Sequence, residues 1–305
     1  MLGPMALNGP FDHLADDIAT QVASLARRTQ RSFGHTPIGG DGWDQLRRGR
    51  SGRFGAAWST GPNGEIEAYA QLTRRQADHA WAVEVLVSPE ASDRLVDLGG
   101  ALVSMGLRWA AAQGGGHVHF WATDARPAHA ELAARVGLDP HRTLHQMRRP
   151  LPTDPPGDTE LRSFEPGDED ELLEVNRLAF ANHPDQGDMT RDMFDERVAE
   201  DWFDPKGLLI FEEDGRIGGF CWTKLFADAD PVMGEIHIIC VHPDFGGRGL
   251  GRDLVLAGLA YLHQQGAEVG FLFVEGDNQA ALDLYTRLGF EVTRTDRAFA
   301  ATLPA

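Results

Sequence analysis

The sequence predicts an α/β (α+β) chain made of two similar domains in tandem. Short β-branched runs alternate along it with stretches whose apolar residues recur at helical spacing. A length of 305 residues is enough for two ordinary cores. The second half also repeats landmarks of the first. Val87-Ser88-Pro89 matches Val241-His242-Pro243, 154 positions on, and Ala134-Arg135-Val136-Gly137-Leu138 matches Thr286-Arg287-Leu288-Gly289-Phe290, 152 positions on. A near-constant offset of this kind is the mark of a duplicated domain.

The elements follow in order. Leu14, Ile18, Val22 and Leu25 predict an amphipathic helix over 10–31. Strand patterns cover 54–58, 66–72 and 81–87, and a long helix over 93–113 is closed by Gly114-Gly115-Gly116. A strand over 117–121, a helix over 128–136 and a strand over 143–148 complete the first half. Pro150, Pro152, Pro155 and Pro156 mark a linker, so the expected domains are 1–150, a linker at 151–158, and 159–305. The second half opens with a strand over 160–164 and a helix over 168–181. A helix over 190–201 follows, with Thr190 as its cap. Strands over 208–212 and 217–226 flank Asp214-Gly215, a two-residue hairpin signal. Ile236, Ile238, Ile239 and Val241 form a central strand, and Leu254, Val255, Gly258, Leu259 and Leu262 the apolar side of a helix reaching Gln265. A strand over 271–275, a helix over 278–288 and a strand over 291–300 end the chain.

Composition narrows the function. The formal net charge is −18 and the isoelectric point near 5.0, which argues against nucleic acid or an anionic membrane as partner and suits a cationic substrate. Two cysteines, Cys221 and Cys240, form neither a disulfide framework nor a zinc site and read as small buried residues. No metal set is expected. No start resembling a signal peptide is visible, and no run is expected to reach the ~18 apolar residues of a membrane span. The expectation is a cytoplasmic, monomeric protein.

The strand ending at Val241 runs into His242-Pro243-Asp244-Phe245-Gly246-Gly247-Arg248-Gly249-Leu250-Gly251 and then a helix. Glycines at a helix N-terminus let successive N–H groups converge on an anion, most simply a pyrophosphate, and Arg248 and Arg252 add cations. The glycine spacing is not that of a dinucleotide fold. Arg252-Asp253 stands where a nucleoside-triphosphate loop needs Lys-Ser/Thr.

The loop, with Asn278-Gln279-Ala280-Ala281 and Tyr285-Thr286-Arg287-Leu288-Gly289-Phe290 after it, resembles the GNAT acetyltransferase superfamily. The resemblance implies two GNAT-type domains, each a mixed, mostly antiparallel sheet flanked by helices, with acetyl-CoA as co-substrate. It assigns the cofactor to Ile239, Cys240 and Val241, to Gly246, Gly247, Arg248, Gly249, Leu250, Gly251 and Arg252, and to Asn278, Gln279, Ala280, Ala281, Leu282 and Asp283. The main chain of Ile239 to Val241 would pair with the pantetheine arm, and Tyr285 would be the general acid for the departing thiolate. Glu235, on the strand entering the loop, can take a proton from an amine, with His237 as rival base.

Further residues narrow the resemblance. They are Ala179-Phe180-Ala181 with His183-Pro184 and Gln186-Gly187, then Trp202-Phe203-Asp204-Pro205, Trp222-Thr223-Lys224, and Asp296 with Ala298-Phe299-Ala300. They are similar to the tandem-domain branch of the superfamily that makes mycothiol, by acetylating the cysteinyl amine of cysteinyl-glucosaminyl-inositol. That likeness implies substrate contacts at Asp41, Asp185, Lys224, Glu235 and Phe273, the last a tyrosine in most of the branch. Two alternatives stand beside it: an acetyltransferase for another small amine or an aminoglycoside, and a non-catalytic acetyl-CoA-binding scaffold. The first copy is expected to be non-catalytic. Glu235 falls on Trp81 and Tyr285 on Ala133, and the loop falls on a glycine-free segment carrying Asp93 and Asp97.

Overall fold

The β-branched runs of the first half pair largely in sequence order. The computed structural model describes residues 6–34, 38–48, 52–75, 79–181, 187 and 189–304, without the side chains of residues 40, 41 and 48. Strands β1 (Ala6–Phe11), β2 (Phe54–Thr60), β3 (Ile66–Arg74) and β4 (Trp81–Val87) form an antiparallel series. β5 (Gly116–Ala122) lies parallel to β4. Helices α1 (Asp16–Phe33) and α2 (Gly40–Arg48) pack Val22, Leu25 and Leu46 onto one face, against Phe54, Tyr69 and Leu86. Helices α3 (Gly100–Ala112) and α4 (Pro127–Arg135) pack Leu102, Val103 and Leu132 onto the other, against Leu72, Val83 and Phe120. Strand β6 spans Asp139–Pro150.

Several expectations need correction here. The helix expected over 10–31 begins only at Asp16, because Ala6–Phe11 is an edge strand. Its Pro10 is tolerated there since an edge N–H needs no ladder partner. The expected 93–113 helix is three pieces: a tight 3₁₀ turn at Pro89–Arg94, a wide π turn at Leu95–Gly99, and then α3. This stretch, Pro89–Ala112, is long and apolar enough to cross a membrane by length and composition, contrary to the expectation of no such run. Its apolarity has another account: Leu98, Leu102, Val103 and Ala110 are wholly buried in the first core.

The second half repeats the plan. After β7 (Arg162–Ser163), the antiparallel strands β8 (Leu208–Glu213), β9 (Arg216–Phe226) and β10 (Met233–Val241) are followed by β11 (Val269–Glu275), parallel to β10. Asp214 and Gly215 have φ of 54 and 75, the paired left-handed geometry of a tight hairpin. Helices α5 (Glu169–Ala179) and α6 (Arg191–Val198) bury Leu172, Val175 and Phe194 on one face, with Ile210, Phe220 and Trp222. Thr190 caps α6 by accepting from the Met193 N–H at 3.3 Å. On the other face α7 (Leu250–Gln264) and α8 (Gln279–Arg287) bury Leu254, Val255, Leu259 and Tyr285 with Ile236 and Leu272. Gly258 of α7 is a close approach: a Cβ there would lie 2.6 Å from Cys221 Sγ and 2.9 Å from Ile236 Cδ1.

The last strand, β12 (Glu291–Leu303), changes the bookkeeping of the halves. The chain packs as two units, one of Met1–Leu144 with Arg294–Ala305, the other of His145–Thr293. Within the first unit, Arg297 to Leu303 of β12 pair antiparallel with Ala122 to Gly116 of β5. Within the second, β6 from His145 onward takes the place beside β11. Phe299 is buried in the first core, stacked 5.8 Å from Phe120. Asp296 accepts from the Asp124 N–H at 2.9 Å.

Phe299→Ala therefore removes a first-unit core side chain although it lies six residues from the chain end. It is expected to destabilise that unit by about 3–5 kcal/mol. Hydrogen exchange should speed up in β5 and β4 and stay unchanged in β9 and β10.

Candidate active site

β10 carries the site because its two faces do different work. Gly234, Ile236, Ile239 and Val241 turn toward α7 and α8, whereas Ile238 and Cys240 pack with α5 and α6. The alternation slips because β10 bulges between Ile236 and Ile238: Ile236 pairs with Thr223, but Ile238 pairs with Trp222, leaving His237 as the extra residue. Glu235 and His237 thus share the face that carries Trp222 and Lys224 of β9. Glu235 lies directly opposite Lys224.

The second property of β10 is where it loses its parallel neighbour. β10 and β11 pair from Met233–Val269 to Glu235–Phe271, and among the described residues the pairing goes no further. Beyond that fork Ile239, Cys240 and Val241 pair with β9 alone, through Cys221, Phe220 and Gly219. In an antiparallel ladder alternate residues turn their N–H and C=O to the opposite edge, so this edge offers main-chain donors and acceptors to an extended ligand.

Past Val241 the chain makes a 3₁₀ turn at Pro243–Phe245, with His242 Nδ1 accepting from the Asp244 N–H at 3.1 Å. Gly247 and Gly249 then adopt φ of 73 and 84, and Gly249 is the residue before α7. Apart from the adjoining chain, no heavy atom of the described residues lies within 4 Å of where a Cβ would stand at either glycine. Glycine is required there by backbone conformation rather than by crowding. The first N–H groups of α7 have no partner inside the helix, which leaves an anion-attracting terminus beside the fork.

Arg248 does not point into this loop. Its guanidinium makes a two-pronged pair with Glu213, at 2.6 and 2.8 Å, and that contact holds the Glu213 carboxyl below its ordinary range. Arg252 contacts Asp253 at 3.2 Å, and Asp253 also accepts from Thr159 Oγ1 at 2.5 Å. Asn278 caps α8 by accepting from the Ala281 N–H, and Gln279 donates to Asp283 at 2.7 Å. Leu250 is buried in the α7 core, and Ala281 and Leu282 pack against it.

Tyr285 is buried in the same core, edge-on to Phe290 at 5.8 Å. Burial raises its hydroxyl's pKa well above the ordinary tyrosine value, so it stays protonated at neutral pH, the state required of a proton donor. It lies on the α7 side of the sheet, whereas Glu235 faces the α5 side.

Around Glu235 the α5 side is aromatic. Lys224 Nζ stands 4.3 Å from the Trp202 ring centroid and 5.3 Å from that of Phe226. Phe226, Phe271 and Phe273 follow one another at 5.5 and 6.0 Å, with Phe226 and Phe273 exposed. A positive charge, a carboxylate and apolar rings on one surface can hold a polar ring compound bearing an amine.

The sequence profile of the Acetyltransferase (GNAT) family matches residues 172–290. A mycothiol acetyltransferase of Rhodococcus jostii is 38% identical over 301 residues, covering 95% of this chain and 96% of that protein. The chain belongs to the mycothiol acetyltransferase family. It is an acetyltransferase, and solved structures agree on the fold. A GCN5-related N-acetyltransferase from Sphaerobacter thermophilus superposes with a TM-score of 0.68 at 22% identity, covering 99% of this chain and 96% of that one. A tandem GNAT protein from the clavulanic acid biosynthesis pathway gives 0.62 at 16% identity, covering 99% of both.

In this member of the mycothiol acetyltransferase family, the structure brings Lys224, Glu235 and Phe273 onto one face of the second unit. It sets the Ile239–Val241 edge beside the glycine loop. Asp185 and the side chain of Asp41 lie outside the described residues. Sequence reasoning passed over Trp202 and Phe226 as site-lining residues. Their signal, an aromatic at each end of a strand-and-loop stretch flanking Lys224, is common to ordinary cores. Cys221 and Cys240 are buried thiols, and burial pushes the Cys221 thiol up to about 12.

Gly249→Val places a β-branched side chain at φ 84 in otherwise open space. The strain should cost about 1–2 kcal/mol and show as a lower unfolding midpoint for the second unit. Gly249→Asn, whose side chain tolerates this conformation, should lose less.

Proposed function

We propose that this chain transfers an acetyl group from acetyl-CoA to the cysteinyl amine of cysteinyl-glucosaminyl-inositol, the last step of mycothiol formation, and that the second unit alone is catalytic. The observation that carries the reading is the place of Glu235, the last residue of β10 to pair with β11, at the mouth of the fork. An acyl-pantetheine arm extended along the free edge of Ile239 to Val241 would bring its thioester toward that mouth. The pyrophosphate would then lie on the Gly246–Arg252 loop and the first turn of α7. Arg248 would exchange Glu213 for the phosphates, since exposed ion pairs are weakly held.

The acceptor's ammonium must lose a proton before its nitrogen can attack. Glu235 takes that proton, directly or through one water, while Lys224 and the Phe226–Phe271–Phe273 row hold the sugar and inositol portion. The Tyr285 hydroxyl protonates the sulfur as the C–S bond breaks, for which its buried, protonated state is suited. The family resemblance adds Asp185 to the proposed acceptor contacts.

Several features support a non-catalytic first copy at 1–150, joined by the 151–158 linker to a catalytic copy at 159–305. Trp81, in the position of Glu235, is wholly buried and donates from Nε1 to the Gly115 carbonyl at 3.0 Å. The segment in the loop's position is helical, so its N–H groups are mostly spent, and Asp97 pairs with Arg135 at 2.6 Å. β4 and β5 do part beyond Val83–Phe120, and Glu84 to Val87 line a cavity there with Trp121 and Ala122.

Acetyl-CoA consumption by the full chain should be fastest with cysteinyl-glucosaminyl-inositol, measured against a panel of aminoglycosides and simple amines. Equal rates across the panel would remove the acceptor assignment. Glu235→Gln should lower turnover by about 10²–10⁴ with acetyl-CoA binding retained. Tyr285→Phe should slow thioester cleavage with little change in cofactor affinity, because the hydroxyl acts only as the thiolate develops. Lost affinity with fast residual chemistry would make Tyr285 a packing residue.

A further inference from the structure

His237 occupies the extra position of the β10 bulge, on the face of Glu235. Its ring is edge-on to Trp202 at 5.3 Å and to Trp222 at 5.9 Å. Both ring nitrogens are buried, and among the described residues neither has a hydrogen-bond partner. Nδ1 stands 3.5 Å from Glu235 Oε2. A neutral imidazole has one donor and one acceptor, and leaving each unmade costs roughly 1–3 kcal/mol. Phenylalanine or leucine would fill the same aromatic box without that penalty. The ring is therefore poorly explained as packing, and the carboxylate at the fork stands within 3.5 Å of it.

The proton balance gives it a task. The overall change is R–NH₃⁺ plus the thioester giving the N-acetyl amide, the free thiol and one H⁺. Of the two protons the nitrogen gives up, one is matched by the proton that ends on sulfur. The other must leave the site before the next turnover. Glu235 has a side chain only 12% exposed, whereas that of His237 is 24% exposed. Lys224 of β9 lies directly opposite Glu235, and its ammonium lies over the Trp202 ring.

We propose that His237 is a relay and positioning residue acting through Glu235. Its Nδ1 receives the proton that Glu235 has taken from the acceptor ammonium, and because the ring is partly exposed while its nitrogens are buried, a rotation about χ2 carries the proton to solvent. Between turnovers the ring, having shed that proton, stands 3.5 Å from the Glu235 carboxylate and limits where it can turn at the fork. No other reactant is needed, since the proton moves from carboxylic acid to imidazole to water or buffer. The inference rests on Glu235 being the base.

The test uses the full chain with acetyl-CoA and cysteinyl-glucosaminyl-inositol at low buffer concentration. His237→Gln, which keeps polarity but cannot carry a proton at neutral pH, should lower kcat by about 10-fold to 10²-fold, the lower part of the range for positioned acid–base groups. KM for acetyl-CoA should stay unchanged. Added imidazole should raise the rate of His237→Ala with concentration and leave the unsubstituted enzyme unaffected. A packing role would be restored equally by pyrrole, which has the ring's shape without its basic nitrogen, whereas the relay would not. Unchanged kcat in His237→Gln, or a His237→Ala defect insensitive to imidazole while its unfolding midpoint is normal, would overturn the relay. If His237→Ala is too unstable to assay, the His237→Gln rate and its response to imidazole decide alone. Glu235→Gln separates the two readings. Loss of turnover there that imidazole does not restore supports the base at Glu235 and the relay behind it. Near-normal turnover in Glu235→Gln with loss in His237→Gln would overturn both, and would make His237 the base.

Discussion

The parting of β10 from β11 after Glu235 is the constraint on which the second unit's site depends. Parallel strands normally pair along their length, and a free edge inside a sheet wastes main-chain hydrogen bonds unless something else makes them. Close packing on the α7 side accompanies the parting. Gly258 lets α7 press onto Cys221 and Ile236, and Tyr285 of α8 fills the core next to Phe290. The bulge at His237 adds a slip of one residue, so that the strand sends Ile236 to α7 and Ile238 to α5. Without that slip Ile238 and Cys240 would face the α7 core, and Ile239 and Val241 the α5 side.

Charge decides how the site attracts an anion in a chain of net charge −18. A global field of that sign opposes a pyrophosphate, and within a Debye length of about 8 Å only local groups can reverse it. The N-terminus of α7 and the glycines before it supply partial positive charge, and the acid of its first turn, Asp253, is paired with Arg252. Arg248, a formal cation of the loop, is committed to Glu213. The acidic surface works in favour of the acceptor, which arrives as an ammonium.

Much of this was legible in the sequence, and the rest was hidden for identifiable reasons. The glycine loop could be read because positive φ at Gly247 and Gly249 demands glycine, and the hairpin at Asp214-Gly215 for the same reason. The bulge could not, because Ile236-His237-Ile238-Ile239 fits unbroken alternation equally well. β1 was missed because Gly9 and Pro10 weaken its strand pattern. That β12 would complete the first unit's sheet was beyond pattern reading, since strand propensity names no partner. The same holds for Glu213, thirty-five residues from the arginine it binds in space. Tyr285 and Glu235 were placed correctly on their elements, but the opposite sides of the sheet they face are a tertiary fact.

Amide hydrogen exchange on the full chain, with and without saturating acetyl-CoA, tests the fork most directly. The account predicts added protection in two segments of the second unit, the β10 edge from Ile239 to Val241 and the loop from Gly246 to Arg252. It predicts little change in β8. Tight binding of acetyl-CoA with neither segment protected would contradict it, because the cofactor would then lie elsewhere than along the edge that β11 leaves open.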